Sequence, residues 1–317
     1  MDAIGGYFSL ELPMHEEFHK NAIKLNTGRI CLEYILRCRK YKKVYIPYYT
    51  CEVILEPFKK LGIEYSFYHI NIDFEIVEDT CLNSHEAILY TNYWGLNQHN
   101  VIKYSERYGR QLIIDNTQAF YAKPIEGIDT FYTCRKFFGV PDGAYLYTDA
   151  KLGLEIEQDV SYERVTHLLK RIDLGAEAGF MDFRKADDAL DNQPMLRMSR
   201  LTERMMQAID YGFVARRRKD NFMQLHGLLK DGNLLHLQYD EEAVPMVYPY
   251  LMDKEGLRES LIRNKIFVAR YWPNVDEWAG GQAEETTLAK QLIPLPVDQR
   301  YGEVEMECII NKIKEFV

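Results

Sequence analysis

The chain has 317 residues, 47% of them apolar, enough to bury a substantial core in one large domain or two unequal ones, which excludes a disordered polypeptide. Its 48 acidic residues outweigh 39 basic ones for a net charge of −9, so the chain as a whole repels nucleic-acid phosphates and anionic lipid headgroups, and neither is expected as a partner. No run of about eighteen apolar residues occurs, and Met1 to Gly6 lacks a basic stretch followed by an apolar one, so a soluble, cytoplasmic protein is expected.

Between residues 28 and 149 helical periodicity alternates with short apolar runs rich in β-branched and aromatic residues, the pattern of repeated βα units. The spacing predicts a helix over 28–41, a strand over 44–49, a helix over 51–61 closed by Gly62, and a strand over 65–72. It then predicts a strand over 87–93, a helix over 100–108 stopped by Gly109, and strands over 111–114, 130–134 and 144–147. Residues 150–210 carry polar stretches such as 175–179 and a helical period over 201–211. Further on, strands are predicted over 244–251 and 267–271, and helices over 257–264 and 303–316. The expected fold is α/β, a mostly parallel sheet between helices, with a large domain over 1–210 and a smaller C-terminal α+β domain over 211–317. Arg216-Arg217-Arg218-Lys219 reads as a solvated helix face. The six cysteines form no C-x-x-C pair and do not cluster with histidine, so reduced thiols and no metal site are expected.

Ligands in such sheets gather at the carboxyl ends of the strands, where Asp115, Asn92 and Lys136 fall. Lys136 follows a strand and precedes Phe137-Phe138-Gly139; an apolar pocket would lower its pKa and make it a neutral nucleophile able to form an imine with an aldehyde cofactor. The alternative is a lysine whose stem covers apolar surface while its head reaches water. Asp115 ends the apolar run Leu112 to Ile114, where a carboxylate needs a partner such as a protonated ring nitrogen, or else caps the following helix. Asn26-Thr27-Gly28-Arg29 opens a helix and offers N–H groups, a hydroxyl and the positive dipole end to a phosphate, or is an ordinary cap. Tyr49 and Trp94 follow strands, where a ring could stack on a planar cofactor or belong to the core.

In their order these features resemble the DegT/StrS family of sugar aminotransferases, which use pyridoxal phosphate (PLP) on the PLP-dependent transferase fold type I. The likeness runs from about residue 20 to 316. It rests on Asn26 to Arg29, on Ile46-Pro47-Tyr48-Tyr49-Thr50 and on Asn92-Tyr93-Trp94-Gly95. It continues through Asp115-Asn116-Thr117-Gln118, Lys136 with Asp142-Gly143, Met198-Ser199, and Ile293 to Tyr301. The resemblance implies PLP held on Lys136, Asp115 at the ring nitrogen and Gln118 near the ring hydroxyl. Thr27, Gly28 and Arg29 would hold the phosphate, with Tyr49, Asn92 and Trp94 around the cofactor. The chain departs from the family in a shorter lysine segment led by Tyr132 to Arg135, in Cys51 where an aromatic is expected, and in Met195 where many members carry asparagine.

The reaction that the resemblance implies is transamination from an amino donor, glutamate, to a keto sugar, nucleotide-linked, in a homodimer. Arg270 and Arg29 are candidates for gripping anionic substrate groups, with a surface salt bridge the alternative for each. A sugar dehydratase of the same family would replace the lysine with histidine, and no histidine lies between Asp115 and Asp149. A non-catalytic sugar-nucleotide binder on the same fold is a second alternative. An unrelated nucleotide-binding α/β protein is a third, and the chain lacks the G-x-G-x-x-G and Walker sequences it would need.

Overall fold

A computed structural model describes residues 4–281 and 283–316, and the helical periods and apolar runs alternate in it as the sequence leads one to expect. The first half runs β1 (Ile23–Leu25), α1 (Gly28–Arg39), β2 (Lys43–Pro47), α2 (Leu55–Leu61), β3 (Glu64–Tyr68) and β4 (Glu86–Thr91). It continues with α3 (Gln98–Tyr108), β5 (Leu112–Asp115), β6 (Asp129–Thr133) and β7 (Ala144–Tyr147). Four helices come next, α4 (Thr166–Asp173), α5 (Phe180–Asp188), α6 (Arg200–Gln207) and α7 (Tyr211–Leu229). The chain closes with β8 (Val247–Tyr250), α8 (Leu257–Arg263), α9 (Val275–Trp278), α10 (Glu284–Gln291), β9 (Ile293–Pro296) and α11 (Glu303–Phe316).

Seven strands form one sheet in the order β1-β7-β6-β5-β4-β2-β3. β3, β2, β4, β5 and β6 run parallel, and β7 and β1 add antiparallel at one edge. β8 and β9 pair separately as an antiparallel ribbon. The central strands are buried on both faces, which is why their sequences are continuous apolar runs rather than alternations. Side-chain parity then sorts them between two cores. Ala87, Leu89 and Ile113 face the side covered by α1, whereas Ile88, Tyr90, Leu112 and Ile114 face the other core, with Tyr104 of α3 and much of the C-terminal half.

α1 begins where the Thr27 hydroxyl accepts from the Ile30 N–H, and it ends at Lys40, whose left-handed conformation returns its N–H to the Leu36 carbonyl. Ile30, Leu32, Ile35 and Leu36 give it the apolar face that seats it on the sheet. No helix among the described residues is long and apolar enough to cross a membrane, and all six cysteines are free thiols.

Two expectations fail. Residues 267–271 form no strand: Val268 turns into the core while Phe267 lines a cavity, an alternation met by an irregular segment with no partner strand. The basic run at 216–219 is not wholly solvated, because Arg218 is only 1% exposed. It lies one helical turn from Val214 and from Phe222, and so falls on the buried stripe of α7 with Asn221 and Leu225.

Candidate active site

A cavity of about 1020 Å³ opens at the carboxyl ends of the parallel strands. Thr91, Asp115 and Phe131 are register partners across β4, β5 and β6, and this row forms its floor. Asp115 shares the parity of Ile113, so its carboxylate emerges on the α1 side of the sheet. It is buried, and Oδ1 accepts from the Thr117 N–H at 2.8 Å. Burial raises its pKa, while the Lys136 charge and the bonds from Thr117 pull the other way.

Lys136 stands two residues beyond the buried Cys134 in a tight turn, where the N–H groups of both Phe137 and Phe138 bond the Cys134 carbonyl at 3.0 and 2.9 Å. Its Nζ donates to the Thr117 hydroxyl at 3.0 Å. The side chain has accessible surface because it borders the cavity, yet protein packs densely around it, and the packing governs its electrostatics. Burial lowers the pKa of the amine, partly offset by Asp115 and by Cys51.

The start of α1 forms the opposite wall. Asn26, Thr27, Gly28 and Arg29 all line the cavity. A Cβ on Gly28 would lie 3.3 Å from Thr117 Cγ2 and 3.7 Å from the Phe131 ring, so glycine lets the helix start approach the strand ends. The Asn26 side chain is fully buried and its Oδ1 has no partner, as is true of the Thr91 hydroxyl oxygen. Arg29 is held between Glu56 at 2.7 Å and Asp191 at 2.6 Å.

Asp142-Gly143 and Met198-Ser199 meet behind this wall. Asp142, with no exposed surface, accepts from the Ser199 N–H at 3.0 Å and from its hydroxyl at 2.7 Å. Gly143 has φ +111°, and a Cβ there would lie 2.9 Å from both Cys134 Sγ and Thr202 Cγ2. Its N–H bonds the Asn26 carbonyl at 2.6 Å, linking the lysine turn to the start of α1.

The cavity thus brings together Thr27, Gly28, Arg29, Asp115, Gln118 and Lys136. Gln118 is buried, and its Oε1 accepts from the Trp94 N–H at 3.0 Å. Four candidates stand off the cavity surface. Tyr49 is buried in the opposite core against Trp272, with ring centroids 5.2 Å apart. Trp94 is fully buried beside Phe74, and Asn92 bonds Gln98 and the Asn97 N–H. Arg270 also lies outside the cavity lining, tied to Asp276 at 2.5 Å and to the Ala289 carbonyl.

Sequence reasoning did not single out Trp272 and Phe267 of the wall, nor the outer rim from α4 and α5 with Arg171 and Phe180, nor Arg218 and Gln299. Arg218 did carry a signal, the i, i+4 spacing from Val214 to Phe222; the others are placed by long-range packing alone.

No protein-family model matches the chain, and no curated protein matches it in sequence. Solved structures do match in shape. A DegT DnrJ EryC1 StrS aminotransferase from Brucella abortus is 16% identical, covering 93% of this chain and 85% of that one with a TM-score of 0.63. Spr1654 from Streptococcus pneumoniae, assigned as a sugar aminotransferase and solved in its PLP form, is 14% identical over 96% of this chain and 92% of its own, with a TM-score of 0.64. A mutant of the GDP-4-keto-6-deoxymannose-3-dehydratase ColD with bound GDP-perosamine is 15% identical over 92% and 88%, with a TM-score of 0.61. At these identities the likeness is one of fold: the chain has the α/β architecture of these enzymes, the fold type I expected from its sequence.

Proposed function

We propose that the chain is a PLP-dependent aminotransferase of the DegT/StrS type, which moves an amino group from a donor such as glutamate onto a keto sugar carried on a nucleotide. The observation that carries this reading is the line Lys136–Thr117–Asp115 at the carboxyl ends of parallel strands, facing the glycine-opened start of a helix. The donor set suits the cofactor: an amine with a lowered pKa, a buried carboxylate, and first-turn N–H groups beside the Thr27 hydroxyl. Asn26 Oδ1 in that helix-start wall and Thr91 Oγ1 in the floor are buried polar atoms still without partners.

Bound PLP would supply an aldehyde carbon and a protonated ring able to spread negative charge. Lys136 holds the reactive nitrogen; its lowered pKa keeps more of the amine neutral for attack and lets Nζ take and return a proton afterwards. The Asp115 carboxylate would pair with the ring nitrogen and favour a proton there. Thr27, Gly28 and Arg29 would hold the phosphate, and Gln118 would serve the ring hydroxyl. Phe131, Cys51 and Trp272 exclude water from the reacting atoms, while Tyr49 backs Trp272 and Trp94 is fixed by Gln118. Asn92 then acts by ordering the Trp94 turn.

The dehydratase alternative lacks support in this site, where Lys136 lines the cavity just after β6 and no histidine lies between Asp115 and Asp149. A homodimer is also proposed: α4 buries none of its residues, and Leu169, Ile172 and Phe180 present apolar surface beside the cavity rim. Light scattering of the purified protein should give twice the chain mass.

The deciding experiment is an absorption spectrum. Protein incubated with PLP and dialysed should be yellow, with a band that changes on adding glutamate and is lost in Lys136→Ala. A colourless wild-type protein would overturn the reading in favour of a binding-only member of the fold.

A further inference from the structure

Arg218 is a fully buried guanidinium whose bonded acceptors are neutral. Nε donates to Gln299 Oε1 at 3.1 Å, one terminal nitrogen to the Pro245 and Met246 carbonyls at 3.3 and 3.0 Å, and the other to the Phe137 carbonyl at 3.2 Å. The nearby carboxylate of Asp298 is engaged by Arg300 at 2.6 Å. A buried cation without a carboxylate of its own is costly, so its place in the cavity wall calls for a reason.

Geometry supplies one. Gln299 Nε2 donates to the same Phe137 carbonyl at 2.8 Å while its Oε1 accepts from Arg218. Only one orientation of the amide satisfies both partners, so Arg218, Gln299 and Phe137 form a closed hydrogen-bonded ring. The guanidinium carbon also stands 4.5 Å from the centre of the Phe137 ring. On the other side, the Phe137 N–H is tied to the Cys134 carbonyl at the end of β6. The residue next to Lys136 is therefore gripped at its N–H, its carbonyl and its ring.

We propose that Arg218 and Gln299 are positioning residues for Lys136: through the Phe137 carbonyl they fix the backbone turn that aims the ε-amine inward at Thr117. This rests on Lys136 being the reactive amine, and it adds that α7 and the segment after β9 set that amine's reach without touching it. With the turn released, the amine loses its fixed place beside Thr117 in the packed cavity wall and behaves more like a lysine surrounded by water on all sides.

The test uses the full-length protein without PLP. Reductive methylation of Lys136 is followed by peptide mass spectrometry across pH 7–10, with exposed Lys123 as the internal reference. Arg218→Lys keeps the charge and loses the planar fork, and Gln299→Leu keeps Arg218 and loses the shorter bond, so neither removes the local positive charge. Each should move the Lys136 profile to higher pH by about one unit, slowing its methylation about tenfold at pH 8 relative to Lys123. A merely structural role would lower thermal stability and leave that ratio unchanged; profiles superimposing on the wild type overturn the proposal. If Arg218→Lys does not fold, Gln299→Leu decides alone. PLP uptake plays no part in this readout, so a protein that failed to turn yellow would refute the functional reading separately.

Discussion

The Lys136 amine and the Asp115 carboxylate are joined through Thr117, whose hydroxyl accepts from the first and whose backbone N–H donates to the second. Their charges are thus coupled across the cavity wall, where each one shifts the titration of the other.

Replacing Asp115 with Asn should lower the pKa of Lys136 further. Burial pushes that amine down, and the Asp115 charge is the main influence holding it up. The midpoint of Lys136 methylation should fall by about one unit, opposite in sign to the change expected on loosening the Phe137 turn. An upward shift would contradict the coupling. In the PLP-loaded enzyme, Lys136→Ala should cost roughly 10²–10⁴ in turnover, the usual range for a lost general acid–base.

Gly143→Ala should be among the most damaging single-methyl changes in the chain. The left-handed φ and contacts of 2.9 Å with Cys134 Sγ and Thr202 Cγ2 act together, and we expect a loss of about 3 kcal/mol. The shift of the urea midpoint measures it; a loss below about 1 kcal/mol would mean that the turn relaxes freely.

His19 makes stability depend on pH. Burial lowers its pKa to about 4, while its ring bonds the Phe120 carbonyl at 2.7 Å. The folded value is depressed relative to the ordinary 6.5, so the contribution is complete above pH 6.5. As pH falls from there toward 4, the unfolded chain takes up a proton that the folded chain refuses, and up to about 3 kcal/mol is lost. His19→Gln should flatten this limb in urea titrations at pH 7 and 4.5, and an unchanged slope would assign the acid sensitivity elsewhere.

Thr27→Ala removes the cap of α1 and should cost about 1 kcal/mol. It should also weaken binding of PLP more than that of pyridoxal, which has no phosphate. Equal weakening of both ligands would place the phosphate away from this helix.

Much of the architecture was readable because β4, β5 and β6 are buried on both faces and so announce themselves as apolar runs. Asp115 and Lys136 were conspicuous as polar residues where such runs stop. Tyr49 and Trp94 illustrate what position after a strand leaves open: both rings turn into the core opposite α1, away from the cavity lining. Trp272 reaches the wall from more than two hundred residues beyond Cys51, a proximity that no local period encodes. The strand expected over 267–271 had the right alternation and no neighbour to pair with. Arg218 was hidden by its company, since three flanking basic residues suggested solvent while the helical period placed it inside.

The double pairing of Arg29 bears on how firmly an anion would be held in salt. With Glu56 and Asp191 already claiming the guanidinium, a phosphate at the head of α1 meets oriented peptide dipoles more than a free cation. Retention of a phosphorylated ligand should then weaken only modestly as ionic strength rises, because partly enclosed dipoles are screened far less than solvent-exposed charges.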